Sequence, residues 1–216
     1  MAEKLRKDLV ELKAQTHEMG RLAERMLRDS LKALKTGDDA VADAVIADKK
    51  KIREMDAQIE DKALKMIALY QPVAGDLRAI ACSLKIITYI ARIGRYAKDI
   101  AMIEEGEAPT DKWPCMDSIL KMSELSLSLI EDALTAYETS DETLLADFSV
   151  RDDIIDDLRY AIFSEAIDNV KRGSLGLDSL SNQAMVARYL ERCGDHACKI
   201  AEKVHYMITG ERTDFG

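Results

Sequence analysis

One segment occurs twice in this chain, a hundred positions apart. Residues 90–101 read IARIGRYAKDIA and residues 190–201 read LERCGDHACKIA. Arg92/Arg192, Gly94/Gly194, Ala97/Ala197, Ile100/Ile200 and Ala101/Ala201 coincide. An internal repeat settles the plan before any motif is read: the chain is two copies of one unit. The copies differ in charge. Glu191 and Asp195 stand in the second where Ala91 and Arg95 stand in the first. Two carboxylates four residues apart share one face of a helix. One copy can therefore hold a cation there and the other cannot.

The unit is helical. In 216 residues there are only 3 Pro and 10 Gly, and aromatics make up 5%. Such a composition, rich in Ala, Leu, Ile, Lys and Glu, predicts an all-α protein. The breakers are regularly placed. Thr36-Gly37-Asp38 ends a first helix and caps a second. Gln71-Pro72 ends the second, because proline disfavours helix at the residue before it. Gly106 to Pro109 and Trp113-Pro114 end the third, Thr139-Ser140-Asp141 parts the fourth from the fifth, and Lys171 to Gly176 parts the fifth from the sixth. Gly210 ends the sixth. The predicted helices span about 4–35, 39–70, 74–104, 115–138, 141–171 and 179–208, most near 30 residues or roughly 45 Å. The repeat offset maps helix three onto six, two onto five and one onto four. The expected units are residues 1–108 and 109–216, each a three-helix repeat.

Several function classes drop out. A net charge of −9 argues against a general nucleic-acid face. No apolar run approaches the roughly 18 residues of a membrane span, and the start, MAEKLRKDLVELK, reads as a charged amphipathic helix, so no signal sequence is expected. A cytoplasmic protein is expected. Cys82, Cys115, Cys193 and Cys198 form no CxxC and are expected to be reduced core residues. Helix three is apolar over a wide arc, so it packs on more than one side. Gly94 and Gly194 are expected to let a neighbouring helix approach closely.

The acids matter only if they face the right way. At about 100° per residue, Asp152 and Asp156 align with Leu145, Phe148, Phe163, Ala166 and Val170, and so point inward. Asp153 and Asp157 point to water. On helix six, Glu191 and Asp195 sit just outside the apolar stripe, in a column with Arg188, Cys198 and Glu202. Across the hairpin of helices five and six, Asp152-xxx-Asp156 can face Glu191-xxx-Asp195. Four gathered carboxylates repel one another unless something neutralises them. One neutraliser is a cation: oxygen ligation suits Mg, Mn, Ca or Fe, and Zn is a further candidate. The other is ion pairing with Arg188, Arg159 and Arg192. The matching positions of the first half are Lys49, Arg53, Ala91 and Arg95, which hold no acid. There, Asp56 and Glu60 are expected to pair with Arg53, Arg95 or Lys98.

Gln71-Pro72-Val73-Ala74-Gly75-Asp76-Leu77-Arg78, followed by Arg92-Ile93-Gly94 and later by Leu190-Glu191-Arg192-Cys193-Gly194-Asp195-His196, resembles the PhoU family over essentially the whole chain. The resemblance implies two three-helix bundles related by a pseudo-twofold axis. It implies a cytoplasmic, non-enzymatic, negative regulator of phosphate uptake and of the phosphate-starvation response. Its partners would be the phosphate ABC transporter, through the ATPase subunit, and a sensor histidine kinase. It implies a homodimer that reaches the inner face of the membrane only through partners. It also implies metal binding by E/D-xxx-D motifs, which carry over as Asp152-xxx-Asp156 and Glu191-xxx-Asp195 and are lost at Lys49, Arg53, Ala91 and Arg95. Pro72, Asp76, Arg78, Arg92, Gly94, Arg192 and Gly194 belong to the family pattern, and a structural role is expected of them. Asp76 suits the first turn of helix three, and Arg78 is expected to bond loop carbonyls near Gln71.

Two other classes compete. A ferritin-like di-metal oxidase needs two Glu-xx-His motifs on different helices. This chain has only Glu202-Lys203-Val204-His205, and His196 is expected to be solvated or to stand behind the ligands. A metal-free helical adaptor with another partner differs from the metal-binding regulator only at the acid site.

Overall fold

The computed structural model describes residues 2–104 and 113–216. Six α-helices carry the chain: α1 Ala2–Thr36, α2 Asp39–Tyr70, α3 Ala74–Glu104, α4 Met116–Thr139, α5 Phe148–Lys171 and α6 Leu177–Thr209. No strand occurs among the described residues. No described helix is long and apolar enough to cross a membrane. The expected boundary at 108/109 lies outside the described residues.

Among the described residues, the breakers at the ends of α1, α2 and α6 act as read, each through a local contact. Gly37 adopts φ 65°, and its N–H closes on the Ala33 carbonyl at 2.8 Å. Asp38 then caps α2, its carboxylate accepting from the Val41 N–H at 3.2 Å. Gln71, in the left-handed region at φ 49°, ends α2 just before Pro72. Gly210 ends α6 at φ 83°, where a left-handed cap favours glycine.

One boundary differs. The fifth helix does not begin at 141. A single 3-10 turn, Glu142–Leu145, comes first, capped by Asp141, and α5 starts at Phe148. Asp141 bonds both the backbone N–H and the hydroxyl of Thr143, so the side chain holds a tight turn where composition alone reads as helix.

Packing follows the repeat. α1, α2 and α3 form one bundle, and α4, α5 and α6 form the other. The bundles meet through α3 against α6 and α1 against α4. The middle of the molecule is therefore a four-helix layer of α1, α3, α4 and α6, with α2 and α5 flanking it. The Tyr137 hydroxyl, fully buried, lies 2.6 Å from Ser83 Oγ across the layer. On α1, Gly20 leaves no room for a side chain against the Leu134 methyl groups of α4. All four cysteines are free and buried, as expected.

The two flanking helices match residue by residue at an offset of 103. Buried Ala42, Val45, Ile52, Ile59 and Ala63 of α2 correspond to Leu145, Phe148, Ile155, Ile162 and Ala166. Gly94 lets Ile52 approach, with 3.3 Å from a hypothetical Cβ to Ile52 Cγ1. Gly194 does the same for Ile155, at 3.1 Å to Cδ1. In this alignment Lys49 and Arg53 correspond to Asp152 and Asp156, and Asp56 to Arg159. The matched seams carry inverted charges.

A carboxylate cluster between the fifth and sixth helices

The inward face of α5 runs Phe148, Asp152, Ile155, Ile162 and Ala166, with half-buried Arg159 completing the alternation of four- and three-residue steps. Asp152 therefore occupies a core position and is only 9% exposed. Asp156 does not. It lies about 80° from Phe148 around the helix and is exposed, which corrects the inward orientation expected of it. Phe163, expected in the stripe, is also exposed. The expected phase ran through Leu145, but the 3-10 turn breaks the helical phase between Leu145 and α5.

α6 brings Glu191 and Asp195 alongside. Asp195 accepts from Arg192 Nη1 at 3.0 Å. Glu191 lies 3.7 Å from Arg159 Nε and 3.8 Å from Arg192 Nε. These last two are ion pairs too long to be hydrogen bonds, and Glu191 Oε2 is buried without a hydrogen-bond partner. Arg159 and Arg192 thus do part of the neutralising. No ion pair from Arg188 is formed among the described residues.

The four acids act on one another even so. Burial, then the charge of Asp195 and, more weakly, that of Asp156, push the Asp152 carboxyl up to about 6. Burial and the Asp195 charge raise Glu191. Burial raises Asp195 against the pull of Arg192, with Asp156 adding to the rise. These oxygen donors, one of them orphaned, have the chemistry of a hard-cation site. Their present arrangement is not a ligand shell: among the described residues no three His, Cys, Asp or Glu side chains converge to hold a metal. Asp152 lies beside the Cys198 thiol, which works against the rise of its carboxyl, and Asp195 is drawn to Arg192.

Three further features escaped the sequence reading. First, Glu202, placed in the column just outside the apolar stripe, is buried beside the buried Cys198. Its carboxylate is held by Lys199 at 2.7 Å and Lys203 at 3.4 Å. Second, His196 is neither solvated nor behind any ligand. It is 8% exposed and stacks against Tyr89 and Tyr96 at 5.8 and 5.7 Å, with neither ring nitrogen hydrogen-bonded. Burial, helped by the charges of Arg92, Arg192 and Arg95, holds it down to about 4. Third, residues 211–216 fold back along α6. Phe215 packs 5.9 Å from Phe148, Lys199 Nζ bonds the Gly216 carbonyl at 3.0 Å, and Gly216 sits directly against the Asp152 carboxylate. A lone aromatic in a polar tail was the available signal.

The family-pattern residues are placed as follows. Asp76 is in the first turn of α3. Arg78 does not bond the Gln71 loop. Its Nε donates to the Met207 carbonyl at 3.2 Å, tying the start of α3 to the end of α6. In the first half, no described ion pair joins Asp56 or Glu60 to Arg53, Arg95 or Lys98. Lys98 pairs with Asp99 at 3.3 Å, Arg95 lies over the Tyr96 ring, and the Asp56 carboxyl is raised by burial and by Glu60.

A family model for the PhoU domain matches residues 16–103 and 119–204. Over 208 residues, 96% of this chain, it is 33% identical to a phosphate-specific transport system accessory protein PhoU homolog of Clostridium acetobutylicum, 95% of which is covered. It is 34% identical to a homolog of the same description from Caulobacter vibrioides, covering 94% of this chain and 89% of that one. The crystal structure of PhoU from Pseudomonas aeruginosa superposes with a TM-score of 0.88 at 26% identity, covering 95% of this chain and 99% of that one. The phosphate transport system regulatory protein PhoU from Streptococcus pneumoniae shares the fold, with a TM-score of 0.89 at 24% identity over 97% of this chain and 99% of that one.

Proposed function

The chain belongs to the PhoU family, and from that premise we propose that it is an accessory protein of phosphate transport that represses the phosphate-starvation response by protein contact. The observation that carries this reading is the match over both repeats and nearly the full length of relatives named as phosphate-specific transport system accessory proteins. The proposed partners are the ATPase subunit of the phosphate transporter and a sensor histidine kinase, met at the cytoplasmic face by a homodimer. The test is genetic. In a strain lacking the chain, a phosphate-starvation reporter should be active in replete medium, and the restored chain should silence it. A reporter that stays silent in the deletion strain sinks the proposal. Co-purification of the ATPase subunit from phosphate-replete cells checks the partner separately.

The carboxylate cluster adds a second layer. We propose that Asp152, Asp156, Glu191 and Asp195 take up a single Mg, Mn, Ca, Fe or Zn ion, in competition with Arg159 and Arg192. The cation would supply the charge those arginines only partly provide. The two repeats should load unequally, since Lys49, Arg53, Ala91 and Arg95 replace the acids in the first. Protein purified without tags or chelators should carry one ion per chain, lost in Asp152→Ala with Glu191→Ala. Metal content unchanged in that variant refutes the placement. No metal in the parent protein favours the metal-free adaptor, which the Arg192–Asp195 contact already supports.

A further inference from the structure

The end of α6, the first half of α3 and the returning segment after Gly210 line a half-open cavity of about 470 Å³ that no part of the carboxylate cluster lines. Its charged walls are Lys85, Lys199, Lys203, Arg212, Glu202 and Asp214. Glu202 is buried and answered by Lys199 and Lys203, and Asp214 by Lys199 at 3.2 Å. Lys85 has no hydrogen-bond or ion-pair partner among the described residues. Arg212 makes no ion pair there either and rests 5.9 Å from the Tyr206 ring centroid. The cavity thus holds two uncompensated positive charges on a chain whose formal net charge is −9. It also offers the Thr213 hydroxyl, the Tyr206 ring and the apolar Cys82 wall.

We propose that this cavity binds a small organic phosphate monoester. A monoester carries about −2 at neutral pH, which matches the excess. Two free cations, one of them a guanidinium fork, suit phosphoryl oxygens. The volume lies within the range of about 300–1,000 Å³ typical of organic-ligand pockets, and is more than an inorganic anion needs. Tyr206 and Cys82 provide the surface for the organic part. Arg212 is exposed, so it can swing from the Tyr206 ring to the ligand, and the ligand's ring can take its place. The site is built from both repeats and the tail, and it stands or falls independently of the transport role and of the metal.

The test is calorimetric titration of the full chain with adenosine monophosphate at low ionic strength. One site per chain is expected, with affinity falling as salt rises. Lys85→Gln combined with Arg212→Gln should weaken binding roughly tenfold or more, as loss of charge-assisted contacts does. Both residues are exposed, so the melting temperature of the variant should not move. Adenosine should fail to bind, and inorganic phosphate should bind more weakly than the monoester. Three results overturn the proposal: no heat with adenosine monophosphate at millimolar concentration, equal affinity in a folded double variant, or inorganic phosphate binding as tightly as the monoester.

Discussion

At the scale of single residues, two buried titratable groups act in opposite senses. Asp152 is raised to about 6, so the folded state keeps its proton more tightly than the unfolded chain. Its stabilisation is fully present below the unfolded carboxylate value and is lost as pH rises through about 6. His196 is held down to about 4. The unfolded chain takes up that proton first, so stability is lost as pH falls from the ordinary imidazole value through about 4. In chelator-treated protein the two should oppose each other across the same acid window. Asp152→Asn should melt above the parent at pH 7.5, with the gain fading as the parent aspartate protonates. His196→Phe, which keeps an aromatic between Tyr89 and Tyr96, should become more stable relative to the parent as pH falls. Melting curves for the two variants with parallel pH slopes would contradict this. Neither environment was legible beforehand. The sequence presents Asp152 and Asp156 as equivalents four residues apart, and only the register of the α5 seam makes one buried and the other exposed. His196 looked solvated because its stacking partners lie on a helix a hundred residues away.

At the scale of helices, the repeated glycine is a spacing device, and its two copies are not equally tight. A Cβ at Gly94 would stand 3.3 Å from Ile52 Cγ1. At Gly194 it would stand 3.1 Å from Ile155 Cδ1 and 3.4 Å from Asp152 Oδ1. Glycine to alanine gains about 1 kcal/mol of helix propensity, while overpacking a core costs about 1–3 kcal/mol. Gly94→Ala should therefore be close to neutral. Gly194→Ala should be destabilising by about 1 kcal/mol, since both its neighbours are buried. Urea denaturation of the two variants side by side checks the order, and the reverse order would show that the α2 seam is the tighter one. The glycines themselves, and the close approach they permit, were readable from the repeat. The start of α5 was not: the Asp141 and Thr143 contacts replace helix by a 3-10 turn, and a run such as Glu142 to Leu145 has no breaker to announce it.

At the scale of the molecule, the central layer takes α1 and α3 from one bundle and α4 and α6 from the other, so the halves should unfold together. The chain has one tryptophan, Trp113, which is buried just ahead of α4. Its fluorescence and the far-UV dichroism of all six helices should report a single urea transition. Gly20→Ala, which forces a side chain into Leu134 across the α1–α4 contact, should lower both midpoints together, at a cost of about 1–3 kcal/mol. Tyr137→Phe, which removes the hydroxyl bonded to Ser83, should cost about 1 kcal/mol. A fluorescence midpoint that holds while the dichroism midpoint falls would mean that the bundles unfold separately.

The sequence by itself determined the six helices, most of their ends and the doubled plan, though not the start of α5. Caps, prolines and glycines act within a few residues of where they stand, and the repeat is a direct comparison of letters. It also determined that acids survive in only one copy. The tertiary structure decided which acid is buried, where Arg78 reaches, what surrounds His196, and that α3, α6 and the returning tail line a basic cavity. Each of these depends on segments far apart in the chain meeting in one register. Helical periodicity leaves that register open by tens of degrees, and packing alone closes it.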